Sequence, residues 1–451
     1  GPEFNDSQWA YATVIGAYPC SPWGAVSGID TIPDSFLGTR LKQVRDITHE
    51  ITNSVLRTEV PEGRHRVQLF YTVPGGFDYQ NPEAGAALID IVHGEMERRF
   101  GAELGKGIAG SFQDEFPALP RFSLRLPESF RQRVGYDLIE RLPALYDDVI
   151  DRLGEPDGPS TIQIRCAAND VAAQLCEEAF FKPLHAWHEK YDLLCGYDQT
   201  DRMADPLDGE QYYVDYLKVM RHYSAPGNDM GGDAKPHQSI AALYGRPRVW
   251  CEAFHSSGWG QTLEEIAVLL HPWLVRGSNL YNPHAIYYSI HGSFWEWAPP
   301  DTGWRQPYFV HYPQFAEYVS RLCYILAQGK PVAHVAVLHP ASTVHAYSGF
   351  GEPGPAARHA RHVYWAVQTS LDEQSINYLI LDEESVQRAH VEQGVLVIGS
   401  LQFRAVVLPV TRVLGGKTLE RLARFAEAGG RVLCVGARPE FAADRALSEE
   451  D

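Results

Sequence analysis

Along the chain the spacing of hydrophobic and polar positions changes twice. Residues 54–76, "SVLRTEVPEGRHRVQLFYTVPGG", alternate apolar and polar side chains around Pro61-Glu62-Gly63, the pattern of a β-hairpin, so residues 1–75 read as a β-rich segment. From residue 76 to about 330 the period lengthens. The stretches "EAGAALIDIVHGEMERRFG" (83–101), "NDVAAQLCEEAFFKPLHAWHEKY" (169–191) and "TLEEIAVLLHPWLVRG" (262–277) place apolar residues three and four apart, which predicts helices. Between them lie the short apolar runs "GIAGSF" (107–112), "YDLLCG" (191–196), "YLKVMRHY" (216–223), "RVWCEAF" (248–254) and "AIYYSI" (285–290). Helix alternating with short buried strand predicts a parallel α/β architecture. Five such strands are fewer than the eight of a closed (β/α)8 TIM-type barrel. Either the sheet is open, or the chain holds a barrel that lacks its first strands.

After Lys330 the rhythm changes again. The runs "VAHVAVLHP", "NYLILDEESV", "GVLVIG", "RAVVLPV" and "RVLCVG", with the helical "KTLERLARFAEAGG" before the last, predict a small doubly wound α/β domain over 331–451, similar to the class I amidotransferase-like fold. Its cysteine, Cys434, ends an apolar run rather than opening a helix on a sharp turn, which argues against amidotransferase chemistry.

Ligands of parallel α/β folds bind beyond the carboxyl ends of the strands. The residues just beyond each central run are therefore informative. Gln113-Asp114-Glu115 come after the first, and Asp198 and Gln199 after the second. His222 ends the third, with Asp229 beyond it in "SAPGND". Glu252 and His255 close the fourth; Asn282 and His284 precede the fifth, and His291, Trp295 and Trp297 come after it. One acid at a strand end is commonly a turn or helix-capping residue, and Asp114 and Asp229 have that plainer reading. Acids at four of five strand ends, with His and Trp interleaved, match the needs of glycosidic bond cleavage. One carboxylic acid protonates the leaving oxygen, while a second carboxylate activates water or attacks the anomeric carbon. Glu252, which comes after an apolar run, is the first candidate for a catalytic carboxylate, with Asp229 or Glu115 as its partner. Asp114, Asp198, Gln199, His222, His255, Asn282 and His284 are candidates for substrate binding, and Trp295 and Trp297 for stacking on a sugar.

Composition narrows the partners. A formal net charge of −18 opposes nucleic acid or an anionic membrane as the main partner, because a phosphate-binding face needs clustered Lys and Arg. No apolar run approaches the roughly 20 residues of a bilayer span. The 10 Trp and 23 Tyr, many in Gly- and Pro-rich contexts such as "HGSFWEWAPPDTGW", suit an oligo- or polysaccharide. No nucleotide-binding loop is recognisable: "GGFDYQNPEAG" lacks the spacing, so no nucleotide cofactor is expected. Seven scattered cysteines without CxxC pairs read as free thiols. The opening "GPEF" reads as a cloning remnant, which leaves cytoplasmic, periplasmic and secreted locations open.

The strings "SFQDEFP", "PESFRQRVGYDLIERLPAL", "LYGRPRVWCEAF" and "LVRGSNLYNPHAIYYS", in this order, resemble the pattern of glycoside hydrolase family 106, the calcium-dependent α-L-rhamnosidases. The resemblance runs from about residue 40 to 330. It implies a (β/α)8 catalytic barrel, an inverting hydrolysis by two strand-end glutamates and a calcium ion (Ca2+) that holds sugar hydroxyls. It also implies that the barrel's first three strands come before the β-rich insertion, from elsewhere in the polypeptide or from a companion chain. Glu252 matches the family's strand-seven glutamate. At strand six the family has a Pro-Glu pair where this chain reads "PGND", which opens the role of Asp229 and the identity of the sugar. Two other readings stand beside this one. One is a retaining enzyme of the β-galactosidase clan that pairs Glu115 with Glu252; the other is a catalytically inactive, carbohydrate-binding barrel.

Overall fold

The computed structural model describes residues 76–146, 158–199, 205–229, 231–289 and 299–444, with short stretches between 51 and 72. Two short strands come first, β1 (Ile51–Thr52) and β2 (Val55–Leu56), paired antiparallel. Residues 67–72, expected as the return strand of a longer hairpin, are not in a strand, and the Pro61-Glu62-Gly63 turn lies outside the described residues apart from Glu62.

The central sheet has five parallel strands in chain order: β3 (Gly110–Phe116), β4 (Leu194–Gln199), β5 (Ala225–Asn228), β6 (Trp250–Ala253) and β7 (Leu280–Pro283). Consecutive parallel neighbours joined by helices are what the alternating pattern predicts. Two of the five expected strands are misplaced. "YLKVM" is a helix (Tyr216–Met220) capped by Asp215, and the third strand is the later "APGN". The polar cap residue and the compact buried turn outweigh β-propensity there. "AIYYS" is a loop, and the fifth strand is the preceding "LYNP", which pairs residue for residue with β6 from Trp250↔Leu280 to Ala253↔Pro283.

Local signals account for the helices that the spacing predicts. Helix Thr161–Cys176 begins with a capping box between Ser160 and Gln163, and helix Leu263–Val275 with one between Thr262 and Glu265. Gly227, in β5, is required by packing. A Cβ there would lie 2.2 Å from the Trp250 Cβ, and the Trp250 ring is in turn stacked on Phe112 at 4.3 Å.

A second parallel sheet comes next, with strand order β15-β13-β8-β9. Its strands are β8 (Val335–Leu338), β9 (Tyr378–Leu381), β13 (Ala405–Pro409) and β15 (Arg431–Val435). The run "GVLVIG" does not join it. It forms β11 (Val395–Ile398) of a separate antiparallel sheet with β10 (His390–Glu392) and β12 (Leu401–Phe403). Its short turns on either side bring neighbouring strands together before any crossover helix can form. Short β14 (Val413–Leu414) and β16 (Phe441–Ala442) pair parallel to each other. The thiol of Cys434 is exposed rather than buried, because β15 is the edge strand; the other described cysteines are also unbridged.

Buried polar contacts lock the two parallel sheets together. Glu210 accepts from His339 at 2.9 Å and is paired with His345 at 2.7 Å; both histidines belong to the second unit. Arg121, in the loop after β3, donates to the Gly349 carbonyl at 2.8 Å. Tyr244, on the helix after β5, donates to Asp382 at 2.8 Å. Among the described residues no helix is long and apolar enough to cross a membrane.

Candidate active site

The carboxyl ends of β3, β4 and β6 bring three carboxylates together. Oxygens of Asp114, Asp198 and Glu252 all lie within 4.8 Å of one another. Asp114 is exposed, whereas Asp198 and Glu252 are buried. The convergence depends on an irregularity in β3. Gln113 pairs with Tyr197 and Phe116 with Gln199, so β3 carries one extra residue at Asp114-Glu115. A bulge of this kind re-aims side chains at a strand end. Glu115 takes a left-handed backbone (φ 44°), costly by about 1 kcal/mol for a residue other than glycine. Its N–H donates to Asp198 Oδ1 at 2.5 Å, so β4 holds the bulge in place.

Asp198 is the most perturbed of the group. It is 1% exposed, and its Oδ2 is buried without a hydrogen-bond partner. Burial pushes its carboxyl from 3.8 up to about 8, with Asp114, Glu252 and Asp229 adding to the rise and the Glu115 N–H opposing it. The folded protein therefore holds a proton at Asp198 at neutral pH.

Asp229 comes just after β5 and is buried; its Oδ2 lies 3.2 Å from His255 Nε2. Asp229 is not a helix cap, since the helix Ala234–Tyr244 is capped by Asp233. His255 Nδ1 is 2.9 Å from Ser256 Oγ. His284 comes just after β7, with its ring 5.6 Å from that of His255. Burial lowers its pKa, as does His255, so it stands as a neutral imidazole. Asn282 lies within β7, directly opposite Glu252.

Of the residues predicted from sequence, the fold thus gathers Asp114, Asp198, Glu252, Asp229, His255 and His284 at one end of the sheet, with Glu115 on the bulge and Asn282 in register. His222 does not belong there. Because "YLKVM" is a helix, His222 lies before β5 rather than after a strand, 2.6 Å from Glu177. Gln199 ends β4, but its side chain lies outside the described residues, as do His291, Trp295 and Trp297. Sequence reasoning passed over Asn228, fully buried in β5 beside Asp229, and Tyr287; Trp259 and Trp304 stood in the aromatic, glycine-rich stretches but were not named as site residues. The strings "GWG" and "TGWRQ" were the signal for two of them, since rings between glycine and polar residues have little apolar sequence to pack against.

Three carboxylates this close cannot all be charged without compensation. Either one of them keeps a proton, as the raised pKa of Asp198 favours, or a cation sits between them. The donor set fits a hard cation: all its atoms are carboxylate oxygens, and one buried oxygen has no partner.

No protein-family profile matches the sequence, and comparison with curated proteins finds no match. Solved structures do match in fold. The rhamnosidase from Novosphingobium sp. PP1Y aligns over 81% of this chain at a TM-score of 0.59 and 16% identity. A GH42 beta-galactosidase, Gan42B, aligns over 84% at 0.56 and 15%. The beta-galactosidase from Bacillus circulans sp. alkalophilus aligns over 82% at 0.57 and 13%. The chain spans 34% of the rhamnosidase and 59% and 57% of the two galactosidases. The fold of this chain is thus one found in glycoside hydrolases.

Proposed function

We propose that this chain carries the active site of a glycoside hydrolase acting on a plant or microbial oligo- or polysaccharide. The observation that carries the reading is the convergence of Asp114, Asp198 and Glu252 at the carboxyl ends of parallel strands. Glu252 is the catalytic carboxylate that attacks the anomeric carbon or activates water. Glu115, on the exposed bulge, protonates the leaving oxygen. Asp229 is engaged with His255, and we assign it to orienting that imidazole against a sugar hydroxyl rather than to water activation. In the absence of an ion, Asp198 carries its proton and donates to a hydroxyl of the substrate, and His284 and Asn282 bind others; an ion at the cluster would displace that proton.

An α-L-rhamnoside is the first substrate to test, from the sequence resemblance to family 106, and calcium is the implied metal. Asp114 and Asp198 would hold the ion with Glu252 beside it; bound there, it supplies positive charge that orients sugar hydroxyls. A retaining β-galactosidase-type enzyme pairing Glu115 with Glu252 is the second reading, favoured by the fold likeness to GH42 enzymes. In either case we propose that three further strands, from the same polypeptide or a companion chain, close the five-stranded sheet into a barrel, with residues 331–451 as a separate domain behind it.

The test is a screen of nitrophenyl glycosides, including α-L-rhamnoside and β-D-galactoside, with and without chelator, beside Glu252→Gln. Turnover lost in that variant supports the reading and names the sugar. Turnover unchanged in it removes Glu252 from the mechanism, and a folded protein silent on every glycoside favours the inactive carbohydrate-binding barrel.

A further inference from the structure

We propose a second sugar-binding position on the rim of the site, a platform built by Trp304 on the loop 299–306; the inference rests on the carbohydrate reading of the site given above. Trp304 is 69% exposed, yet it is held in place. The Arg305 guanidinium lies 4.3 Å from the centre of its ring and covers it from one side. That guanidinium is itself fixed. It donates to Asp301 Oδ2 at 2.7 Å, to the Tyr287 carbonyl at 2.7 Å and to the Tyr288 carbonyl at 3.3 Å. Asp301 is fully buried, so the anchor of the arrangement is internal although the indole is not.

The loop is joined to the carboxylate cluster through its neighbours. Gln306 Nε2 donates to the Trp259 carbonyl at 3.3 Å, and the Gly258 N–H to the Pro299 carbonyl at 3.3 Å. Those residues lie on the loop that leaves β6 just after Glu252 and carries His255. On the other side, the Thr302 N–H donates to the Ala285 carbonyl at 2.7 Å, next to His284. The platform therefore moves with the strand ends rather than as a free loop.

A large ring that packing would ordinarily bury is here stiffened from behind and left open. Its desolvation awaits a ligand with a flat, weakly polar face on the side that Arg305 leaves open. The C–H face of a pyranose ring meets that requirement. A protein partner would need a far larger apolar area than one indole. The platform would bind a sugar unit next to the one cleaved, making chains better ligands than single sugars.

The matched control is on the same molecule. Trp365 is also stacked by an arginine, Arg361 at 4.4 Å, but it belongs to the helix Pro355–Glu373 of the second unit rather than to the loops that follow β6 and β7. Affinity electrophoresis through gels holding a soluble rhamnogalacturonan or a soluble β-galactan tests the proposal, with Trp304→Ala, Trp304→Phe and Trp365→Ala beside the unmodified chain. We expect retardation by at least one polysaccharide. Trp304→Ala should weaken it about tenfold, as expected for losing an aromatic stack, while Trp304→Phe keeps most of it and Trp365→Ala all of it. Retardation equal in Trp304→Ala and the unmodified chain overturns the platform, as does the absence of retardation in both gels. Failure of the hydrolase reading has a different signature: Trp304-dependent retardation without turnover of any glycoside.

Discussion

Asp198→Asn tests the electrostatics of the site. The asparagine is nearly isosteric with the protonated acid; it keeps an oxygen to accept from the Glu115 N–H and places an amide where the acid carried its proton. In the folded protein the Asp198 carboxyl is pushed up to about 8, against an ordinary value of 3.8. Between these values the native state binds one proton that the unfolded chain has released. This contribution to stability is therefore full below the ordinary carboxyl value and is lost as pH rises through the folded one. One proton is worth about 1.4 kcal/mol per pH unit, so from pH 5 to pH 8 the group removes on the order of 3 kcal/mol. The variant lacks that term. Urea unfolding midpoints in chelator, measured at half-unit steps from pH 5 to 8.5, should move apart with rising pH in favour of Asp198→Asn, the difference in stability between the two proteins growing by about 3 kcal/mol from pH 5 to pH 8. Parallel curves over the whole range would refute the assignment of a protonated, desolvated Asp198.

Calcium in place of chelator should raise the melting temperature of the unmodified chain, by a linkage of about 2.7 kcal/mol at a hundredfold excess over the dissociation constant, and more at pH 8.5 than at pH 6 because the ion competes with the Asp198 proton. Asp114→Asn should abolish that rise, and an identical rise in the variant would place the ion elsewhere. Glu210→Gln removes the charge shared by the buried His339 and His345, and should cost about 3 kcal/mol in denaturant unfolding. A loss below 1 kcal/mol would show that the two sheets are held together without it. Gly227→Ala drives a methyl into Trp250 and should destabilise by about 2 kcal/mol, read by urea unfolding; no loss would mean the Trp250–Phe112 stack yields easily.

Much of this architecture can be read from period alone. The helices within 83–101, 169–191 and 262–277 follow from apolar spacing, although the second begins earlier, at Thr161, and the strands around Cys195 and Cys251 follow from short apolar runs between polar segments. Where the reading failed, two elements of similar composition competed. "YLKVM" carries strand-forming Tyr and Val, and only the hydrogen bond from the Lys218 N–H to the Asp215 side chain shows that a helix begins there. "AIYYS" has higher β-propensity than "LYNP", yet the register with β6 selects the latter, since pairing partners count for more than intrinsic preference. His222 was lost to the site by that same misread strand.

The amino-acid sequence by itself determined the alternation of helix and parallel strand, the acidic character of the strand ends and the candidacy of Glu252, because burial period and residue type are properties of short segments. The tertiary structure alone decided which acids meet. Asp114, Asp198 and Glu252 lie 84 and 54 residues apart in the chain and come within 4.8 Å only through strand order and a one-residue bulge at Glu115. The raised pKa of Asp198 likewise exists only once the fold buries it beside the other acids, since desolvation and their mutual repulsion have no counterpart in the open chain.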